Sequence, residues 1–177
     1  MKRLISVLSL VVLWPLAASW AQLYPPNEAG VSLGHWHTIV RDMEATKKFW
    51  IAVGGTPIKI DDTEVMKFPG VFIFLTPGTP SGGSDGTVVN HVGIEVPNRK
   101  DALAKWHAAG VEMREGHLHT PDELLIEISE EGGVVPYPRM PPNVSVASIH
   151  MHFHVPAILR KGMLDWYVKM FGAIPGE

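Results

Sequence analysis

Three short segments of this 177-residue chain share one pattern, and that repetition constrains its fold more than any other feature. They read HWHTIV from His35, HVGIEV from His91 and HMHFHV from His150, each with His at the first position and Val at the sixth. The three segments follow one another at nearly equal intervals. Self-similarity at such a period is the signature of a repeated supersecondary unit. The chain is therefore expected to build the same unit more than once.

The repeated unit has the pattern of one strand, one helix and three further strands. Each opening segment alternates with period two, so that His35 and His37 share one strand face while Trp36 and Val40 share the other. A helical pattern follows each opening strand, with a capping residue before it and glycine after it. The strand-like runs that follow are TPIKI, EVMKF and VFIFL in the first copy, and VEMRE, HLHT and LLIEIS in the second.

These units predict an α+β fold. Two βαβββ units, over 34–79 and 88–131, are expected to form a curved open sheet cup within one domain that spans 34–131. A proline-rich linker is expected over 132–147, since GGVVPYPRMPPN contains several prolines in a short run. Residues 148–177 then supply one strand and one helix, which is the beginning of an incomplete third unit.

The first residues have the composition of a secretory signal peptide. Lys2 and Arg3 precede a mostly apolar run, and small residues flank Trp20, which fits a signal peptide over 1–21 and an N-terminal segment over 22–33. The apolar run is shorter than the roughly 20 residues of a membrane span, so no stable span is expected after cleavage. The expected location is secreted or periplasmic, and an uncleaved N-terminal anchor is the alternative.

Charge and cysteine content exclude two other classes. The formal net charge is −3 at pH 7, and no run of basic residues could meet a phosphate backbone, so no nucleic-acid partner is expected. The chain has no cysteine and therefore no disulfide. The expected partner is a small-molecule substrate, with a homodimer as a further possibility.

The three opening strands, together with the closing run TPDELLIEI, resemble the vicinal oxygen chelate superfamily. That group includes glyoxalases, extradiol dioxygenases, methylmalonyl-CoA epimerases, and fosfomycin- and bleomycin-resistance proteins. The resemblance covers residues 34 to about 131, and residues 148–177 resemble the beginning of a further domain. It implies a metal-dependent enzyme whose small substrate chelates the metal through adjacent oxygens, either a glyoxalase-like lyase or isomerase or an extradiol-type dioxygenase.

The same resemblance implies a set of metal ligands. His35 and His91 match the ligands on the opening strands, and Glu127 matches the carboxylate on the last strand. Some members carry a fourth ligand, a Glu on the fourth strand, but VFIFL has no carboxylate at that place. Two imidazoles and one carboxylate leave open positions on a divalent metal ion, and they suit Fe, Mn, Zn, Ni or Co.

Other polar and aromatic residues are candidates for the surroundings of such a site. His37 lies on the same strand face as His35, and His119 lies just before the closing strand, so both are acid/base candidates. His117 is a further candidate, and for each of the two loop histidines simple exposure is the alternative. Phe72 and Phe74, or alternatively Ile73, are expected to face into the cup.

Two other functional interpretations remain open at the level of sequence. The chain could be a non-catalytic binding protein of the bleomycin-resistance type, or an auxiliary domain whose partner site lies in a further C-terminal half. The third opening strand bears on this choice, because a ligand at His150 would need two partners from other strands. Those partners are expected in chain beyond residue 177, which predicts no complete site at His150.

Overall fold

The computed structural model describes residues 25–132 and 144–175. The predicted signal peptide lies outside the described residues, and so does most of the predicted proline-rich linker. Within the described ranges, no helix combines the length and the apolar character that crossing a membrane requires.

The first unit forms a four-stranded sheet with one helix. Its elements are β1 (His35–Val40), α1 (Met43–Val53), β2 (Thr56–Ile60), β3 (Thr63–Phe68) and β4 (Val71–Pro77). The strand order is β1-β4-β3-β2, and β1 runs parallel to β4 while the other pairs are antiparallel. The strands follow the alternation of the sequence, since Trp36 and Val40 are buried and His35 and His37 are exposed.

The second unit repeats this order. Its elements are β5 (Val89–Val96), α2 (Arg99–Ala108), β6 (Met113–Arg114), β7 (His117–His119) and β8 (Leu125–Glu130). The strands are ordered β6-β7-β8-β5, with β5 parallel to β8. The prediction of an α+β fold built from two βαβββ units is thereby confirmed. The short run HLHT, the weakest strand pattern in the sequence, forms β7.

The third copy supplies β9 (Ala147–Phe153) and, after a 3₁₀ turn over Ala157–Leu159, the helix α3 (Arg160–Phe171). β9 pairs antiparallel with β5 and completes a five-stranded sheet of order β6-β7-β8-β5-β9. The incomplete unit is therefore part of the second sheet, and its opening strand lies beside the opening strand of the second unit.

Local signals in the sequence explain where the helices begin and end. The side chain of Asp42 accepts a hydrogen bond from the amide of Ala45, and that of Asn98 accepts one from the amide of Asp101, as N-caps do. Gly54 ends α1 and Gly172 ends α3 in the left-handed conformation that glycine adopts without strain.

The helices and sheets of the first two units share one hydrophobic core. Trp50 of α1 and Trp106 of α2 are both 1% exposed, so both residues serve packing. Ile73 also lies in this core, and Val146 joins it just before β9. This core holds β5, β8 and β9 in fixed register, and that register positions the candidate site.

Candidate metal centre

The candidate site lies where β5 runs between β8 and β9. One row across these three strands consists of Glu127 on β8, Gly93 on β5 and His150 on β9. A side chain at residue 93 would overlap the ring of His150. Because residue 93 is glycine, the imidazole of His150 can lie across the backbone of β5 at this position. Its Nε2 thereby comes within 3.1 Å of Glu127 Oε2.

The next row brings two further histidines to the same place. His91 on β5 pairs with His152 on β9, and the centroids of their rings are 4.4 Å apart. His91 Nε2 lies 3.2 Å from Glu127 Oε2. Each of His91, His150 and His152 offers a ring nitrogen, and these atoms all lie within 4.8 Å of one another.

These side chains fit a divalent metal ion by the chemistry of their donor atoms. Three imidazole nitrogens converge, and the Glu127 carboxylate adds an oxygen close to two of them. Imidazole together with carboxylate suits Fe, Mn, Zn, Ni and Co. His91 and Glu127, two of the three ligands expected from the sequence, thus lie together, while His150 and His152 join them from a strand that was not expected to contribute.

Hydrogen bonds fix which nitrogen of His91 faces the site. The carboxylate of Asp85 accepts a bond of 3.2 Å from Asn90 Nδ2, so the amide oxygen of Asn90 points the other way. That oxygen lies 2.9 Å from His91 Nδ1, and because it can only accept, Nδ1 carries the hydrogen. The lone pair of His91 is therefore on Nε2, the atom that faces Glu127.

The glycine-rich loop before β5 is held against the second unit. The Ser84 hydroxyl donates to the carbonyl of Asn90 at 2.6 Å and accepts from the amide of Leu125 at 2.9 Å. The amide of Ser84 also donates to the carbonyl of Glu123. This loop is a docked connector that fixes the backbone at Asn90, the residue that orients His91.

Burial makes the imidazoles better ligands near neutral pH. Desolvation lowers the pKa of His91, and the neighbouring charge of His152 lowers it further against the opposing effect of Glu127. Desolvation likewise lowers the pKa of His150, again against Glu127. Both rings are therefore neutral at neutral pH, and a neutral ring is the form that binds a metal ion.

A cavity of about 590 Å³ is lined by Asn90, the neighbour of His91 in the chain, but not by His91, His150, His152 or Glu127 themselves. His117 and Leu125 line it, and the ring of His117 lies 5.5 Å from that of His91. The Nδ1 of His117 lies 3.2 Å from the carbonyl oxygen of Glu115, which can only accept, so Nδ1 is the donor. The Nε2 of the neutral ring then carries a lone pair.

The acid/base candidate His119 is held by two hydrogen bonds. Its Nδ1 lies 2.8 Å from a carboxylate oxygen of Glu123, and its Nε2 lies 3.2 Å from the carbonyl oxygen of Arg114. Because both oxygens can only accept, the two bonds form together only when the ring carries a hydrogen on each nitrogen. Arg114 also binds both oxygens of Glu123 at 2.8 Å. These bonds lower the pKa of Glu123, with the bond from His119 contributing most. His119 therefore stabilises the wall of the cavity through these contacts, whereas the Nε2 lone pair of His117 is available to accept a proton.

His35 and His37 lie on the first sheet. Their ring centroids are 5.1 Å apart, and Phe74 of β4 stacks on His37 at 4.8 Å. The metal-ligand cluster found in the described part of the chain does not include His35. Its predicted ligand role and the acid/base role of His37 stay predictions. Phe72 and Phe74 lie on the half-exposed face of β4, whereas Ile73 is buried in the core. Of the two alternatives for β4, it is therefore the two phenylalanines, and not Ile73, that lie on the open face of the sheet.

Reasoning from sequence placed the partners of His150 beyond the end of the chain, and the structure differs. Period-two alternation shows that His150 and His152 share a face, but it does not show which strand edge β9 joins. One feature of the sequence bears on the site, since HVGIEV has a glycine, Gly93, on the same strand face as His91, and a glycine inside a strand often marks a close approach of another group.

Neither a protein-family model nor a curated protein sequence matches this chain. Solved structures do show similarity in fold. The integron cassette protein VCH_CASS1 from V. cholerae is 20% identical, with a TM-score of 0.45, over 58% of this chain and 96% of that protein. A fosfomycin resistance protein, FosX, from Listeria monocytogenes is 19% identical, with a TM-score of 0.49, over 59% of this chain and 95% of its own.

Another FosX structure from L. monocytogenes was determined with Mn(II) and 1S,2S-dihydroxypropylphosphonic acid, and it is 20% identical, with a TM-score of 0.44, over 56% of this chain and 88% of its own. At such identities the similarity concerns the fold alone. The strand order of both units agrees with the resemblance of the sequence to the vicinal oxygen chelate superfamily. The fold and the cluster thus define a protein of paired βαβββ units with a candidate metal centre.

Proposed function

We propose that this chain is a metal-dependent enzyme of the vicinal oxygen chelate type, with its metal centre at His91, His150, His152 and Glu127. The observation that carries the proposal is the convergence of three ring nitrogens within 4.8 Å, with the Glu127 carboxylate 3.2 and 3.1 Å from two of them. Gly93 leaves free the space that the ring of His150 occupies in this arrangement.

The donors leave room for a substrate. Glu127 is half-exposed, and His152 is exposed. When bound, a divalent metal ion supplies Lewis acidity toward a small substrate that binds it through two adjacent oxygens. The substrate class proposed is therefore a small molecule with neighbouring oxygens. The reaction is a lyase or isomerase reaction or, with Fe(II), an extradiol-type dioxygenation.

His117 is the proposed acid/base residue. Its ring is next to that of His91, it lines the cavity, and its Nδ1 is engaged by the carbonyl of Glu115. Its Nε2 can then take a proton from a substrate held in the cavity and later return it. Leu125, which pairs with His91 across β5 and β8, and Asn90 also line the cavity.

We also propose that the protein is exported. The support is the composition of residues 1–21 alone, which has the charged, apolar and small-residue regions of a signal peptide. Mass spectrometry of the intact protein recovered from the producing cell tests this proposal. Loss of 21 residues from the N-terminus supports it, and an intact N-terminus in the mature protein contradicts it.

Metal reconstitution tests the proposed centre. The purified protein would be loaded anaerobically with Fe, Mn, Zn or Ni, and the bound metal would be counted by elemental analysis. Each form would then be offered catechols, glutathione hemithioacetals and fosfomycin. We expect about one metal ion per chain at this centre and turnover of one substrate class with at least one metal. No bound metal, together with no change in thermal stability on chelation, would sink the proposal.

Two variants separate the two possible ligand sets. His150→Ala should abolish binding at the centre, because it removes one of the converging donors. His35→Ala should leave binding at the centre unchanged if His150 takes the ligand role. The opposite result, with binding lost in His35→Ala and kept in His150→Ala, would return the site to the ligand set implied by the sequence resemblance. His107→Ala is a suitable control, because His107 is an exposed histidine of α2.

A further inference from the structure

A second cavity, of about 250 Å³, lies between the two units and apart from the candidate metal centre. The end of β1 and one face of α1 form one side of it, and the loop before β5 together with the turn before β8 forms the other. The proposed metal ligands do not line it. Its apolar lining consists of Ile39, Val40, Trp50, Pro80, Val89 and Leu124.

One buried hydroxyl at this cavity lacks a hydrogen-bond partner. Thr46 of α1 lines the cavity and is 2% exposed, and its Oγ1 is a buried atom that bonds to no other group among the described residues. Each of the other polar side chains along the cavity does have a partner, and these are Thr38, Ser84, Thr87, Thr120 and Asp122. Burying a hydroxyl without a partner is unfavourable, so a bound molecule that supplies the partner gains a hydrogen bond at Thr46.

Contacts at the rim hold the cavity in shape. The backbone amide and the guanidinium of Arg41 donate to Asp122, and the guanidinium also donates to the carbonyl of Pro80. The loop before β5 packs so closely on the turn before β8 that a side chain at Gly83 would overlap Glu123. A pocket whose walls are already in place binds a ligand without the cost of ordering them.

The size and charge of the cavity define the class of ligand. An apolar cavity of about 150 Å³ can hold benzene, so this one has room for a single ring with a short substituent. The carboxylate of Asp122 lines the cavity and disfavours an anion, and its ion pair with Arg41 leaves it little charge to offer a cation. The polar group of the ligand is therefore a neutral one that can bond to the hydroxyl of Thr46.

We propose that this cavity binds a small neutral ring compound with one hydroxyl group, a phenol or a cyclic alcohol, whose hydroxyl bonds to Thr46 Oγ1. The ring then lies among the apolar side chains of the lining. A threonine hydroxyl can donate or accept, so it suits a ligand hydroxyl in either direction. The site takes its walls from both units, and a ligand that binds only the folded arrangement of the two units stabilises it.

Phenol and toluene test this proposal on the full chain, because they share a ring and differ in the hydroxyl. Their affinities would be measured from amide chemical shifts in NMR titrations. The wild-type protein should bind phenol more tightly than toluene, with shifts at Thr46, Ser84 and Val89. Thr46→Val keeps the shape of the side chain and removes the hydroxyl. It should lose about three- to tenfold in affinity for phenol and should bind toluene at least as tightly as the wild type does.

Two further variants serve as controls. Thr46→Ser keeps the hydroxyl and should keep the preference for phenol. The double variant His91→Ala/His150→Ala should bind phenol as the wild type does, which separates this site from the proposed metal centre. The proposal is overturned if phenol and toluene bind the wild type equally, if neither compound shifts these amides up to its solubility limit, or if Thr46→Val keeps the preference for phenol. The comparison of the two compounds on the wild type decides the matter even if Thr46→Val fails to fold.

Discussion

Gly93 and His150 face each other across β5 and β9, and the imidazole of His150 lies over the space that a Gly93 side chain would fill. The absence of that side chain lets His150 reach Glu127 on the far side of β5. A ligand set drawn from three neighbouring strands thus depends on one residue that binds nothing itself.

Gly93→Ala should push the ring of His150 away from Glu127. We expect the metal affinity of the centre to fall by about tenfold or more, as when residues that orient ligands are changed. Overpacking should also cost about 1–3 kcal/mol of stability. Isothermal titration with Zn²⁺ measures the affinity, and the His35→Ala/His37→Ala background removes the two exposed histidines of the first sheet from the titration.

Gly162→Ala is the matched control for this change, because nothing lies near that glycine on α3. It should leave the affinity unchanged. Equal affinities in the Gly93→Ala and wild-type proteins would contradict the view that His150 needs this space.

Asn90→Ala should weaken metal binding without removing a ligand. Asn90 holds the hydrogen of His91 on Nδ1, and without it the ring is free to turn or to change tautomer. We expect about a 10- to 100-fold loss of affinity at the centre. Nitrogen chemical shifts of the imidazole, measured by NMR, should show mixed tautomers at His91 in the variant and one tautomer in the wild type.

Asn98→Ala provides the comparison for Asn90→Ala. It removes the N-cap of α2 and should cost about 1 kcal/mol of stability, but it should leave metal affinity and the His91 tautomer as they are. A similar loss of affinity in both variants would show that Asn90 acts only through stability.

His117→Gln should separate catalysis from metal binding. If Nε2 of His117 moves the proton, kcat for the substrate that the reconstituted enzyme turns over should fall by about 10² to 10⁴ while the metal content stays the same. His119→Gln should act differently, because His119 is bound to Glu123 and to the carbonyl of Arg114. It should lower stability more than kcat. Full activity in His117→Gln would remove this histidine from the mechanism.

The sequence predicted the repeated unit well because its signals are local. Alternation placed His35 and Trp36 on opposite faces of β1, and capping residues such as Asp42 marked the start of a helix. These features depend on a few neighbouring residues. Strands and helix ends could therefore be predicted without knowing which strands pair.

The candidate site was predictable only in part because it depends on pairing between distant strands. His91 and Glu127 belong to one unit, and the repeat placed them together. His150 reaches them only because β9 joins the open edge of β5, and a strand's alternation does not specify its neighbour. In the same way, the sequence favoured His119 over His117 as an acid/base candidate, because it does not show the hydrogen bonds that each ring makes.

Glu95 gives a prediction about pH. It is 3% exposed on β5, and burial raises the pKa of its carboxyl, with a smaller contribution from the charge of Glu131. The folded protein therefore holds this proton more tightly than the unfolded chain does. The stability that this provides is present below the unfolded pKa and is lost as pH rises through the folded pKa. Glu95→Gln, which has no charge to bury, should avoid that loss.

Thermal unfolding of the apoprotein across pH measures this effect. Glu95→Gln should be more stable than the wild type at pH 7, and the difference should shrink as the pH falls through the raised pKa of Glu95 toward the usual range of a glutamate pKa. Glu112→Gln is the control, because Glu112 is exposed and its ion pair with His107 contributes little to stability. Its unfolding temperature should match that of the wild type at every pH. If Glu95→Gln is less stable than the wild type at pH 7, the charged carboxylate of Glu95 stabilises the folded protein and the expectation is wrong.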